Sequence, residues 1–165
     1  MNGTKRLISA LFGLIICFQT CPPPAPARHH PPIGTNFWYG PILASDGPGS
    51  DHERLSAELD SLKSIGITNL RVLAGADGED GIAVKVRPAL QTAPGVYNDD
   101  ILKGIARFLN ELEKRDMKAV IYLNNAWEWS GGYGTYLEWA GAGKCPDPRR
   151  DGYGKYIDFV SQFPV

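Results

Sequence analysis

The sequence predicts an α/β fold with a parallel sheet. Short apolar runs of strand character alternate with apolar stripes at helical spacing, in the order β-α-β-α-β-α. Such alternation implies parallel strands joined by right-handed crossovers. The 165 residues are 43% apolar, 10% aromatic and 21% charged, which suits one globular core. Candidate ligand-binding residues gather where strands end, which is where α/β proteins place their sites.

The first strand is Gly34-Thr35-Asn36-Phe37-Trp38-Tyr39, followed by a loop rich in turn residues from Gly40 to Gly49. Ser50-Asp51-His52-Glu53 reads as a capping box. Behind it, Leu55, Leu59, Leu62 and Ile65 form one apolar helical stripe, with Gly66 at the expected C-cap. Thr68 to Leu73 is the second strand, ending at Ala74-Gly75. Asn98 is placed to cap a helix striped by Ile101, Ile105, Phe108 and Leu112, with Lys114 and Arg115 favouring its C-terminal end. Met117 to Leu123 is a nearly continuous apolar run, as expected of a strand covered on both faces. A Gly- and Trp-rich loop follows, and Tyr156, Phe159, Val160 and Phe163 mark a third helix.

The N-terminus has a different character. Lys5-Arg6 precedes the apolar run Leu7 to Phe18, about a dozen residues long and so of signal-peptide length. A bilayer-spanning helix needs roughly 20. The expected organisation is a secretory signal over 1–21, a proline-rich linker over 22–32 and a folded domain over 33–165. Secretion is the expected localisation, with lipid anchorage at Cys21 as the alternative. His29-His30 sits in the linker without further metal ligands nearby. Of three cysteines, Cys17 and Cys21 lie in or beside the signal. Cys145 is expected either to be buried or to pair with a cysteine outside this sequence.

Two architectures fit the alternation: an open doubly wound sheet, or about the first three units of a (β/α)8 barrel. A whole barrel takes about 250 residues, so a barrel here would be incomplete. The net charge of −1 gives no reason to expect nucleic acid or an anionic membrane as partner. Ala74-Gly75-Ala76-Asp77-Gly78 lacks the spacing of a phosphate loop and no helical stripe follows it, which disfavours a nucleotide ligand. No cofactor or metal is implied.

Three groups stand at strand ends: Asn36 to Tyr39; Arg71 with the Ala74–Gly78 segment; and Asn124, Asn125, Trp127, Glu128, Trp129, Ser130, Gly131, Gly132, Tyr133 and Tyr136. Trp38 and Tyr39 could equally cap the core, and Asn124-Asn125 could be a strand-end turn. An Arg inside an apolar strand calls for a carboxylate partner if it is buried. Two Trp in a Gly-rich loop are wasteful as core, because large exposed aromatics commonly bind something. Trp faces, with Asn, Arg and Glu around them, describe a neutral, hydroxyl-rich ligand.

Four segments resemble the endo-β-1,4-mannanases of glycoside hydrolase family 5: Gly34 to Gly40, Ile67 to Gly75, Tyr97-Asn98-Asp99 and Tyr122 to Gly132. Trp139-Ala140-Gly141 and Asp151-Gly152-Tyr153 are also similar. The resemblance implies a (β/α)8 barrel, β-mannan or a related plant polysaccharide as partner, and retaining hydrolysis by two Glu residues. It implies that Arg71 supports the nucleophile, and that Trp38, Arg71, Asn124, Asn125, Trp127 and Trp129 contact substrate. The family's catalytic Glu residues end its fourth and seventh strands, which have no counterpart here. The expectation is therefore an N-terminal fragment that does not hydrolyse mannan, with Glu128 and Glu138 not substituting as catalysts. The alternative is a non-catalytic sugar-binding remnant.

Overall fold

The computed structural model describes residues 33–79 and 86–162. The signal and linker segments, Cys17, Cys21, the His29-His30 pair and Phe163 lie outside the described residues.

Three strands, β1 (Gly34–Asn36), β2 (Asn69–Leu73) and β5 (Lys118–Tyr122), form a parallel sheet in the order β1-β2-β5. Each strand is followed by helix: α1 (Gly40–Ala44) and α2 (His52–Ser64) after β1, α3 (Asp99–Glu113) after β2, and α4 (Gly132–Trp139), α5 (Pro148–Asp151) and α6 (Tyr153–Val160) after β5. Sequential strands are therefore spatial neighbours, as they are in a barrel.

The register explains the core. Leu70 pairs with Thr35 and Ala119, and Val72 with Ile121. Leu70 and Val72 are fully buried against Leu55 and Leu59 of α2 and Phe108 and Leu112 of α3. Asn36, Arg71 and Val120 share the opposite face, since strand side chains alternate. Among the described residues that face is open: Arg71 is exposed and Val120 is 56% exposed. The expectation that the Met117–Leu123 strand is covered on both faces is thus corrected, because helices cover one face alone and Leu123 is 80% exposed.

Local differences from the sequence reading have physical causes. The first strand stops at Asn36, and Gly40-Pro41 opens α1 rather than a loop. Proline suits the first turn of a helix, where its missing N–H has no intrahelical acceptor to lose. The cap of α2 is Asp51, not Ser50, its carboxylate accepting from the Arg54 amide at 2.9 Å. Ile65 falls past the last turn and is 72% exposed, while Gly66 takes the left-handed φ of +87° expected at a helix stop. Asn98 caps α3 as expected, and Arg115 donates to the Glu111 carbonyl at 3.0 Å at the helix end. A hairpin of β3 (Gln91–Ala93) and β4 (Val96–Tyr97) within the long β2–α3 connection carries too few residues for a periodic signal.

Gly104 lets α1 and α3 touch. A Cβ there would lie 2.3 Å from the Pro41 carbonyl oxygen and 3.1 Å from Ser45 Cα. Gly104→Ala gains helix propensity yet is expected to destabilise the fold by about 1–3 kcal/mol, because the backbones must separate. A urea midpoint that rose instead would show that the contact is not tight.

Candidate functional site

The segments leaving the C-terminal ends of β2 and β5 meet. The Asp77 amide donates to the Ser130 carbonyl at 3.0 Å, and the Val86 amide to the Trp129 carbonyl at 3.1 Å. Gly131 makes this approach possible. Its φ is +96°, and a Cβ would stand 2.1 Å from the Asp77 carbonyl oxygen. The region read as one Gly- and Trp-rich loop is in fact a short 3-10 turn, Glu128–Ser130, leading into α4.

Asp77 is the centre of the junction. It is 6% exposed, and its carboxylate accepts from the Asn124 side-chain amide and the Tyr136 hydroxyl, with Gln91 Nε2 at 3.3 Å. Asn124 Nδ2 also lies 2.7 Å from the Tyr136 oxygen. Its Oδ1 accepts from the Asn125 amide at 2.6 Å and from Ser130 Oγ at 3.2 Å. Asn124 is therefore engaged at both ends of its amide. Asn125 Oδ1 accepts from the Trp127 amide and Ser130 Oγ, both at 2.8 Å, so this side chain makes the turn that projects Trp127. Asp77 lay within a segment noticed for its glycines, but a carboxylate serving residues 47 and 59 positions away has no local sequence signal.

The aromatic residues divide by burial. Trp127 is 61% exposed and Trp38 is 41% exposed. Trp129 is half-buried against Leu73, Ala76 and Val86, and its ring meets Trp38 edge-on at 6.2 Å between centroids. Trp38 also meets Tyr39 edge-on at 5.2 Å. Tyr39 turns inward, donating to Glu58 Oε2 at 2.8 Å. Trp38 and Trp127 thus present faces to solvent, while Trp129 and Tyr39 hold positions beneath and beside them.

Arg71 differs from the expected buried, paired arginine. It is exposed on the open sheet face, and among the described residues its guanidinium forms no ion pair with a carboxylate. Instead it lies over the Tyr122 ring, 3.9 Å from the centroid, held by cation–π attraction on the neighbouring strand.

Glu128 is 6% exposed and accepts from the Tyr153 hydroxyl at 2.6 Å, fastening the 3-10 turn to α6. Glu138 Oε2 accepts from the Cys145 amide at 3.0 Å. Cys145 is buried, and its thiol is free among the described residues. No group of three or more His, Cys, Asp or Glu able to hold a metal occurs among the described residues.

Burial pushes the Tyr136 hydroxyl up to about 12, with the Asp77 carboxylate adding to the effect. Burial likewise pushes Tyr156 up to about 12 and the Cys145 thiol up to about 11. All three groups hold their protons more tightly when folded, so they contribute stability at neutral pH. That stability falls as pH rises from about 9 for the thiol and about 10 for the phenols. A urea midpoint that drops between about pH 9 and 12 is expected, with a shallower drop in Tyr136→Phe and Tyr156→Phe. Equal slopes in all three proteins would exclude these tyrosines as the cause.

A family profile described as glycoside hydrolase family 5 beta-mannosidase-like matches residues 25–164. A putative mannan endo-1,4-beta-mannosidase 9 from Oryza sativa subsp. japonica is 35% identical over 107 residues, covering 65% of this chain and 24% of the relative. Mannan endo-1,4-beta-mannosidase 5 from Solanum lycopersicum is 29% identical over 123 residues, covering 74% of this chain and 27% of the relative. A mutant glycoside hydrolase family 5 mannosidase from Rhizomucor miehei, solved in complex with mannosyl-fructose, superposes with a TM-score of 0.72 at 34% identity. It covers 79% of this chain and 32% of that one. An endo-1,4-beta-mannanase from the same organism gives 0.52 at 23% identity, covering 79% and 34%. The chain spans about a quarter of the length of the curated relatives it matches. Its parallel strands and flanking helices are the opening units of a (β/α)8 barrel, and it belongs to glycoside hydrolase family 5, in the beta-mannosidase-like group.

Proposed function

We propose that this chain supplies the opening β/α units of a secreted mannan-degrading hydrolase, and with them part of its sugar-binding surface. The observation that carries the reading is the exposed pair Trp38 and Trp127, standing above a hydrogen-bonded junction of the loops that follow β2 and β5. Indole faces stack on the apolar faces of pyranose rings. Asn125 Nδ2, with no partner among the described residues, is a donor available to a sugar hydroxyl beside Trp127. Asn124 braces the junction rather than touching substrate. In the complete barrel Arg71 faces the interior from β2, where its positive charge favours the ionised form of a nearby carboxylate.

Hydrolysis with retention needs a nucleophile and an acid/base, two carboxyl groups about 5–5.5 Å apart. By family resemblance both come from later strands, so these units alone are expected to bind mannooligosaccharides without cleaving them. Glu128 Oε1 accepts from Tyr153 and Glu138 Oε2 from the Cys145 amide, bracing contacts that support leaving both residues out of the chemistry. The apolar run Leu7 to Phe18 supports export; no helix among the described residues is long and apolar enough to cross a membrane.

Internal cleavage of β-1,4-mannan is the first reading of the activity. The second is release of terminal mannose, favoured by the better superposition on the Rhizomucor miehei mannosidase than on the mannanase. A chimera carrying residues 33–162 in place of the matching part of that mannosidase separates the two. Mixed oligosaccharides from mannan support internal cleavage, and mannose alone supports terminal release. A folded chimera that ignores mannooligosaccharides would defeat both readings.

A further inference from the structure

Trp38 has no side-chain hydrogen bond among the described residues to hold its pose. Its ring is 41% exposed and meets two others: Tyr39, edge-on at 5.2 Å between centroids, and Trp129, edge-on at 6.2 Å. Both separations lie in the favourable range for edge-to-face pairs. An exposed side chain that must first be ordered to stack on a ligand loses affinity to that ordering. The readiness of Trp38 therefore depends on how firmly its two neighbours stand.

Trp129 is packed on Leu73, Ala76 and Val86. Tyr39 is held differently, by two charged residues of α2. Its hydroxyl donates to Glu58 Oε2 at 2.8 Å, while Arg54 Nε donates to the other carboxylate oxygen, Glu58 Oε1, at 2.7 Å. The Arg54 guanidinium carbon in turn lies 5.2 Å from the centre of the Tyr39 ring. Each of the three groups touches the other two, so the triangle closes. Phe37 adds a ring contact to Tyr39 at 4.7 Å. The side chains of Arg54 and Glu58 are 52% and 30% exposed, and an ion pair so open to water contributes little to stability. What distinguishes this pair is the second oxygen of Glu58, which reaches back 19 positions to the residue beside Trp38.

We propose that Glu58 and Arg54 are positioning residues for the sugar surface: by locking Tyr39 they fix the ring on which Trp38 rests, and so prepare the Trp38 face for a pyranose. The idea rests on the reading of Trp38 as sugar-binding, and the test separates the two. Mannopentaose is titrated by calorimetry into the full chain and into Glu58→Ala, Glu58→Gln, Tyr39→Phe, Trp38→Ala and the Trp38→Ala, Glu58→Ala double variant. The Trp38 indole N–H resonance, assigned by its absence from Trp38→Ala, is recorded without sugar.

Glu58→Ala and Tyr39→Phe are each expected to weaken binding at least about threefold and to move the Trp38 resonance. Glu58→Gln keeps an acceptor for the hydroxyl and should recover most of that loss. In the Trp38→Ala background Glu58→Ala should have no further effect, because the residue it acts through is gone. Tyr39→Phe keeps the ring, so it serves if Glu58→Ala fails to fold. A Glu58→Ala loss that persists undiminished without Trp38 overturns the proposal, as does unchanged affinity with an unmoved resonance. If the full chain ignores mannopentaose, or Trp38→Ala binds it as before, the sugar reading of Trp38 fails. The positioning of the ring is then judged by the resonance alone, upheld if Glu58→Ala moves it and overturned if it does not.

Discussion

Asp77→Ala is expected to lower the unfolding free energy by about 2–5 kcal/mol and to release the aromatic turn from the β2 loop. The change leaves the Asn124 amide and the Tyr136 hydroxyl without their shared acceptor in a part-buried place, and each stranded donor costs about 1–3 kcal/mol. Asp77→Asn keeps one acceptor oxygen and should lose roughly half as much. The informative measurement is a double-mutant cycle with Tyr136→Phe, followed by urea unfolding and tryptophan fluorescence. If Asp77 joins the two loops through Tyr136, the paired losses fall short of additivity by more than about 0.5 kcal/mol. Strictly additive losses would mean that the contact transmits nothing. The Tyr136 hydroxyl, pushed up to about 12, stays a donor across the whole physiological range, so the junction should not loosen between neutral and mildly alkaline pH.

Trp127→Ala should do the opposite: little to stability and much to binding. The ring is 61% exposed, and the residue is fixed through its backbone, the amide by Asn125 and the carbonyl by the Ser130 amide at 3.2 Å. Unfolding free energy should change by less than about 0.5 kcal/mol, as for other surface substitutions. Affinity for a mannooligosaccharide should fall at least tenfold, equivalent to about 1.4 kcal/mol. Trp129→Ala supplies the contrast. That ring packs on Leu73, Ala76 and Val86, so its removal should cost about 2–4 kcal/mol of stability. Trp38→Ala should fall between, since the ring is half open and yet touches both Tyr39 and Trp129. Calorimetric titration beside thermal unfolding would rank the three. Intact binding in a folded Trp127→Ala protein would remove this residue from the sugar surface.

Legibility in the sequence followed the range of the interaction. Leu55 and Leu59, and then Ile101, Phe108 and Leu112, were readable as buried stripes because helical spacing is local. Asn98 was readable as a cap for the same reason. The Ser50–Glu53 pattern misled by one residue, because Asp51 is an equally good acceptor and the chain's entry angle selected it. α1 escaped notice because five residues beginning Gly-Pro look like a turn. Trp127 was marked by residue type in a Gly-rich loop and Trp38 by its place at a strand end, but nothing local distinguished either from half-buried Trp129.

The amino-acid sequence by itself determined the three strands of the parallel sheet, the helices α2, α3 and α6 between and after them, the main core stripes and the hydrolase family, since each is written in periodicity or in contiguous motifs. Only the tertiary structure decided that Asp77 joins two loops, that Gly131 permits their contact, and that Glu128 Oε2 and the Tyr156 hydroxyl are buried without a partner among the described residues. It also decided that Arg71 rests on Tyr122, with no acid paired to it among the described residues. These are contacts between residues far apart in the chain, and a strand's neighbours are set by packing and register, which no stretch of sequence contains.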